Sequence, residues 1–446
     1  MIDSRAFRGG QYAAELESPE VYRRRRSKIR ERLGAGDAAL LLGATDARGY
    51  GDVGTFRQEP GFFYLTGVEL PGSALMLERE HETLLLPARR PALEAWTGPK
   101  FGPDENSARE LGFERVVGRD PSEVVVDARR RAVPGFLDRI GELLQAGGGL
   151  WVLLPGSASG EPTREQSLVQ GLRDRLPSFP VHDLGPLLTE LRLRKSQGEV
   201  VLMKKAVAAT IMAMNAAASA VRAGAREGEV EGVAYAALRK AGAEGWAFPP
   251  IVGSGQAGCI LHYDANLGVL ARGELVVVDI GARHGYYCGD LTRTFPVSGK
   301  FTRRQRRLYD AVLAAYDAAV KTLKPGSTIA AARKAAFASL EKSGVRGDGG
   351  TSLGNFFIHG LGHFLGLEAH DAGGEGPKLA PGMIVTVEPG VYLPGEGNGI
   401  RIEDDYLITR TGAMNLSASL PRNAEAIEAM LGKSQIKGGS GTRRGL

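Results

Sequence analysis

The segment GELVVVDIGARHGYYCGDLTRTFP, residues 273–296, carries two aspartates, Asp279 and Asp290, on either side of a His284-Gly285 pair. Glycine supplies the positive φ that a tight hairpin turn prefers, so the segment is expected to form two strands joined there. A two-residue loop at that point would make Asp279 and Asp290 direct cross-strand partners, with Cβ atoms ~4.5–5.5 Å apart, where bare like charges are destabilising. Three valines precede Asp279, which implies burial, and a buried unpaired carboxylate is costly. A bound cation would answer both problems. The alternatives are exposed hairpin acids, or acids paired with Arg283 and Arg293.

Histidine and two further acids add to this pair. His359, His363 and His370 fall within twelve residues in FIHGLGHFLGLEAHD, and His262 stands in GCILHYDAN. A single histidine in an apolar setting is ordinarily a satisfied core residue; three so close together are harder to absorb that way. His81 and His182 read as surface residues and His284 as a turn residue. Glu388 ends the β-branched run MIVTVEPG, and Glu403, in GIRIEDD, shares a strand face with Arg401. Four carboxylates and an imidazole form an oxygen-rich set suited to manganese, magnesium or similar ions rather than to structural zinc. Bridging carboxylates can hold two such ions ~3.5–4 Å apart for hydrolysis.

Two other motifs do not lead to chemistry. Gly253 to Gly258 matches the dinucleotide-binding glycine pattern, but Pro249-Pro250 interrupts the preceding strand and turn residues follow too soon for the required helix. Gly350 to Gly354 matches a nucleophile elbow, which needs an acid and then a histidine downstream. Only Glu368, two residues before the last histidine, His370, meets that order.

The elements that must position these residues fall into two halves. At 446 residues the chain exceeds the ~250–300 at which single cores stop growing, so two domains are expected. In the first, 1–186, the runs DAALLLGA (37–44), FFYLTG (62–67), SALMLE (73–78), ETLLLPA (82–88) and GLWVLLPG (149–156) read as strands alternating with helices, an α/β domain. A break at Asp183 to Pro186 opens the second, 187–432. There, Ser196-x-x-Glu199 and Thr302-x-x-Gln305 are capping boxes that predict helices to about Gly224 and Leu323. A third helix is expected from Ile329 to Lys342, with strands at 275–280, 286–295, 384–388 and 400–408. Residues 433–446 read as a disordered basic tail.

Composition narrows the function. The net charge is +5, but Lys433, Lys437, Arg443 and Arg444 lie in the tail and leave the rest near neutral. The other basic run, Arg23 to Arg26 with Lys28, Arg30 and Arg32, lies on a helix with Val21, Ile29 and Leu33 and reads as a solvated face rather than a nucleic-acid patch. No apolar stretch approaches the ~18 residues of a membrane span. The start MIDSRAFRGG lacks a signal core. Cys259 and Cys288 form no C-x-x-C, and a reducing cytoplasm is expected.

Five ordered blocks resemble the aminopeptidase P and prolidase family of pita-bread metallopeptidases: IVGSGQAGCILHYDAN, VVVDIGARHGYYCGDLTRTFPVSGKFT, FFIHGLGHFLGLEAHD, PGMIVTVEPGVY and GIRIEDDYLIT. Together with FFYLTGVELPGSALML they extend the resemblance from about residue 15 to 432, closest to the bacterial-type aminopeptidase P. One departure is the segment 371–383, which lacks an arginine often present there. The resemblance implies an N-terminal α/β domain followed by an α+β pita-bread domain holding two divalent ions, Mn²⁺ before Co²⁺ or Zn²⁺. Asp279 would bind one ion, Asp290 and Glu403 would bridge both, and His363 and Glu388 would bind the second. A bridging hydroxide would cleave the bond before a second-position proline, with Glu388 shuttling the proton. His262 and His370 would line the scissile bond and His359 the proline pocket, with Arg401 and Tyr392 binding substrate. Arg401 reads either as a cation for a substrate carboxylate or as a partner of the metal-binding acids. A dipeptidase specific for Xaa-Pro and a non-catalytic binding protein are the alternative functions. The family also implies a homo-oligomer, dimer or tetramer. In that setting Trp96 either belongs to the core of the first domain or reaches a neighbouring subunit.

Overall fold

In the computed structural model of the protein, residues 17–45, 56–119, 136–154, 161–176, 178–374 and 376–438 are described. The chain divides into two units between Arg192 and Leu193, past the Asp183–Pro186 break. A helix runs on to Gly438, so residues 433–438 of the tail expected to be disordered are helical, and 439–446 lie outside the described residues.

The first unit contains α1 (Pro19–Arg30), β1 (Ala38–Leu42), α2 (Pro60–Thr66), β2 (Ala74–Glu78), β3 (Glu82–Pro87), α3 (Pro91–Thr97), α4 (Glu105–Leu111), β4 (Arg115–Arg119), α5 (Phe136–Gln145), β5 (Leu150–Val152), α6 (Arg164–Arg173), β6 (Val181–Asp183) and α7 (Gly185–Leu193). Its mixed six-stranded sheet runs in the order β4-β3-β2-β1-β5-β6, with antiparallel pairs around β2 and parallel pairs elsewhere. This is the expected α/β domain, with two corrections. FFYLTG is helix α2, not a strand: the Glu59 carboxylate caps Gly61 and Phe62 N–H, Pro60 starts the helix and Gly67 ends it at φ 65°. The basic face of α1 is only partly solvated. Arg26 is fully buried, bidentate to Glu82 at 2.8 and 2.9 Å, and bonded to the Leu65 and Gly112 carbonyls. Arg25 is buried over the Tyr64 ring and paired with Glu17. Trp96 is 88% exposed, which removes the reading of it as a core residue.

The second unit contains α8 (Gln197–Ala220), α9 (Glu227–Lys240), β7 (Gly245–Trp246), β8 (Ile251–Ser254), β9 (Leu275–Ile280), β10 (Ala282–His284), β11 (Tyr287–Cys288), β12 (Leu291–Pro296), α10 (Arg303–Val320), α11 (Ile329–Lys342), β13 (Ile384–Val387), β14 (Gly390–Leu393), β15 (Asn398–Arg401), β16 (Asp404–Ile408), β17 (Ala413–Asn415) and α12 (Ala424–Gly438). Both expected capping boxes are formed, at Ser196 and Thr302. Short antiparallel sheets, β12-β9-β8, β13-β16-β17 and β14-β15, share one core with the helices, built on Val276, Val278, Phe295, Tyr309, Tyr316, Val385 and Ile402. Helix α8 has the length and apolarity of a membrane span, but it packs on α9 and on β10 to β12.

The strands are tied by Arg293, which is fully buried. Its guanidinium donates to the carbonyls of Thr292, Glu403, Leu420 and Pro421 and to the Asp404 carboxylate at 2.7 Å, so it joins β12 to β16. In the first unit, Arg26→Ala would leave Glu82 buried without its partner. That change should destabilise the unit by ~3–5 kcal/mol in denaturant unfolding, and an unchanged midpoint would contradict the pairing.

Candidate active site

Asp279 lies in β9, opposite Ile251 of β8 on one side and Thr292 of β12 on the other. The expected direct pairing of Asp279 with Asp290 is therefore not formed. The turn is Gly285-Tyr286, at φ 56° and 73°, with His284 paired to Tyr287. Positive φ at both central residues gives the primed turn whose twist suits a hairpin; tyrosine is an unusual occupant, which hid the register from the sequence. The register differs from the expected one by two residues. An even shift keeps every side chain on its face, so Asp290 stays on the side of Asp279.

The other ligand-type groups arrive from three directions. Glu403 sits between β15 and β16; its N–H donates to the Thr292 carbonyl at 3.1 Å, and its carboxylate accepts the Thr292 hydroxyl at 2.6 Å. His363 precedes Phe364, which bridges to Val385 of β13, and its own N–H donates to Thr386 Oγ1 at 3.1 Å. Glu388 directly follows β13, held by its N–H to the Leu361 carbonyl at 2.8 Å. In this arrangement His363 Nε2 lies 3.6 Å from Asp290 and 3.4 Å from Glu388. Ligand atoms of Asp290, His363 and Glu403 all fall within 4.8 Å of one another.

A second layer surrounds this cluster. Arg401 donates to Asp279 Oδ2 at 2.6 Å and to the Tyr392 hydroxyl at 2.8 Å, and that hydroxyl is 2.9 Å from His359 Nε2. His359 Nδ1 is 3.9 Å from Glu388. The rings of His262 and His370 are 6.4 Å apart, and that of His370 is 4.3 Å from His363. Asp371 forms a buried ion pair with Lys195 at 3.3 Å, anchoring the backbone beside His370. Every sequence-expected site residue thus belongs to one cluster. Arg401 is engaged inside it, as a partner of Asp279.

Sequence reasoning missed Asp405, Thr292 and Thr386. Asp405 is buried behind the cluster and accepts the Asp290 N–H at 3.1 Å. Its signal was the unbroken acid run Glu403-Asp404-Asp405 in a segment otherwise reading as a buried strand. The glycine motif at 253–258 opens on one short 3₁₀ turn, Ala257–Cys259, not on a nucleotide-binding helix.

The electrostatics are those of too many acids in too little water. Burial, with the charges of Glu403 and Asp279, holds the Asp290 carboxyl well above its ordinary range. Glu403 is raised by burial and by Glu388 and Asp279. Glu388 is pushed up to about 8 by burial, with Asp279 adding to the rise and Arg401 opposing it. Burial also raises Asp405. His363 is lowered to about 4 by burial and then by His370, so its imidazole is neutral at pH 7. Asp279 Oδ1 and Asp405 Oδ1 are buried without a hydrogen-bond partner. A neutral imidazole among under-satisfied carboxylates fits divalent cations.

Comparison with known proteins agrees with this geometry. "Metallopeptidase family M24" matches residues 201–410, and "Aminopeptidase P, N-terminal domain" matches residues 22–121. The chain is 33% identical to Xaa-Pro aminopeptidase of Escherichia coli, over 93% of this chain and 98% of that one. It is 32% identical to the Haemophilus influenzae enzyme of the same name, over 94% and 99%. The solved structure of E. coli aminopeptidase P with the inhibitor Pro-Leu superposes with a TM-score of 0.81 at 32% identity, covering 94% of this chain and 100% of that one. Matched along nearly its whole length, the chain belongs to the aminopeptidase P group of metallopeptidase family M24.

Proposed function

We propose that the protein removes an N-terminal residue from peptides whose second residue is proline, using two divalent ions held by Asp279, Asp290, His363, Glu388 and Glu403. The observation that carries this reading is the buried carboxylate cluster around a neutral His363, in which the single guanidinium of Arg401 opposes several acids. When bound, such ions polarise a carbonyl and acidify water at neutral pH. The side chains account for the rest. Glu388 is 18% exposed, so its carboxylate can reach both the cluster and a substrate and pass a proton between them. Proline nitrogen is a tertiary amide, and the departing amine must gain that proton. The exposed His262 and His370 can donate hydrogen bonds to the carbonyl oxygen as negative charge develops on it. His359 is oriented by Tyr392.

Arg401 decides between aminopeptidase and dipeptidase. A dipeptidase must hold the carboxylate that follows proline, but Arg401 is buried and its N–H groups are committed to Asp279, Tyr392 and Thr292. The segment 371–382 offers only Lys378 as a cation. This supports an open far end for the substrate, although a Pyrococcus furiosus Xaa-Pro dipeptidase is also 34% identical over 58% of the chain. We further propose manganese as the ion, the cytoplasm as the compartment and a homo-oligomer as the assembly. Manganese suits the carboxylate-rich ligand set, and the exposed Leu93 and Trp96 on α3 suit a subunit contact.

Three outcomes are expected. Chelated protein should be inactive and Mn²⁺ should restore it; the restored enzyme should cleave Gly-Pro-Pro at least as efficiently as Gly-Pro, and Gly-Ala-Pro poorly. Cleavage of dipeptides alone would select the prolidase reading. Asp290→Ala should lower turnover by several orders of magnitude with the fold retained, and near-normal turnover would contradict the ligand assignment. The third outcome is a pH dependence of stability. Above about pH 6.5, His359 and His363 are neutral in the folded chain and at least half neutral in the unfolded one, so their opposite contribution fades and the raised carboxyls dominate. An acid whose pKa rises on folding binds its proton more tightly when folded, so stability is lost as pH climbs. Metal-free protein should therefore melt at progressively lower temperature from about pH 6.5 to about 8, and Mn²⁺ should abolish the decline. A flat or rising melting temperature in chelator would refute the repulsion argument.

A further inference from the structure

The loop that carries His262 leaves β8 at Ser254 and returns at Val269, which bridges to Arg226 at the start of α9. Apart from the 3₁₀ turn at Ala257–Cys259 it has no regular structure, and Ile260, Leu267 and Val269 are all exposed. A loop with so little apolar burial needs another source of order if it is to hold a histidine for chemistry.

That source is Glu227, the first residue of α9, with 0% exposure. Its Oε1 accepts the N–H and the hydroxyl of Ser254, both at 2.8 Å, at the exit of the loop. Its Oε2 accepts the Gly268 N–H at 2.7 Å, at the return, and the Tyr263 hydroxyl at 2.9 Å, in the middle. The Glu227 N–H donates to the Gly268 carbonyl at 3.0 Å. Among the described residues it takes part in no ion pair; four donors and the helix N-terminus satisfy its charge. The fit excludes a side chain at 268, where a Cβ would stand 2.8 Å from the Glu227 carboxyl group. Asn266, at φ 49°, repeats the device by accepting the Val252 N–H and donating to the Pro250 carbonyl.

We propose that Glu227 and Tyr263 are a positioning pair for His262, an inference that rests on the functional reading above. Tyr263 is the residue next to His262. With its hydroxyl pinned to a buried carboxylate, the backbone at 262–263 is fixed, and the imidazole is held beside His370. Neither Glu227 nor Tyr263 is placed among the reacting groups. They act through His262, whose misplacement by about 1 Å can cost up to ~100-fold in rate.

The test is a double-mutant cycle on the Mn²⁺-loaded full chain with a Gly-Pro-Pro substrate. Tyr263→Phe keeps the ring and removes the hydroxyl. It should lower kcat by about tenfold or more with KM, Mn²⁺ binding and melting temperature little changed, and it should speed amide exchange over 260–268. In a His262→Ala background the same change should cost less than about twofold, because its target is gone. Glu227→Gln should follow the same pattern with a larger loss. Multiplying losses in the double variant, or full turnover in Tyr263→Phe, would overturn the proposal. An unmodified chain that binds Mn²⁺ and cleaves no proline peptide would overturn the functional reading itself, and this inference with it.

Discussion

The mutual repulsion of buried carboxylates is the constraint around which the second unit is organised. Asp279, Asp290, Glu388, Glu403 and Asp405 crowd together, and one guanidinium, that of Arg401, directly opposes them. The tripeptide Glu403-Asp404-Asp405 shows how local the problem is. Asp404 is fully buried yet fully compensated: Arg293, Ser417 and Tyr316 all donate to it. Of its neighbours, Glu403 points into the cluster and Asp405 lies buried behind it against the Asp290 N–H, and both are raised well above the ordinary carboxylate range. Burial is common to all three. What separates Asp404 from its two neighbours is that the chain supplies its counter-charge directly.

Holding repelling groups in place requires rigid attachments, and this explains where the acids reside. Asp279 lies within a strand, Asp290 and Glu388 directly flank strand ends, and Glu403 sits between two strands. Arg293 binds β12 to β16 through five acceptors at once. It therefore fixes the spacing of Asp290 and Glu403, which the side chains themselves would increase. A lysine could not do this, since the planar guanidinium presents its donors as a fixed fork.

Most of this was legible in the sequence because the chemistry-bearing residues lie in blocks whose local patterns are strong. The capping boxes at Ser196 and Thr302 and the helix over Ile329–Lys342 follow from short-range rules and are formed as read. The misreadings share a cause: local pattern was ambiguous and tertiary context decided. FFYLTG is apolar throughout, so neither helical nor strand period was visible; its flanking Glu59, Pro60 and Gly67 were the better signal. The hairpin register turned on Tyr286 at positive φ, a conformation that tyrosine rarely accepts. Arg25 and Arg26 sit in a run of four arginines, and only the fold distinguishes the two that enter the interior.

The division between strands and loops extends to the remaining site residues. The carboxylates suited to hold cations lie in strands or directly beside them, whereas His262 and His370, the exposed pair, are carried on irregular segments. Metal ligation tolerates little movement, and rigid elements supply that precision better than loops. Under the proposed function substrate must enter and leave, so the groups that would meet it belong where the backbone is accessible. Each of these segments is nonetheless tethered by a buried carboxylate outside the cluster: Asp371 with Lys195 beside His370, and Glu227 with Tyr263 beside His262. Both tethering acids are satisfied, one by a cation and one by hydrogen-bond donors. The site therefore combines a cluster of acids whose charge the chain compensates only in part, through Arg401, with acids whose fully compensated charge supplies the order that the loops lack.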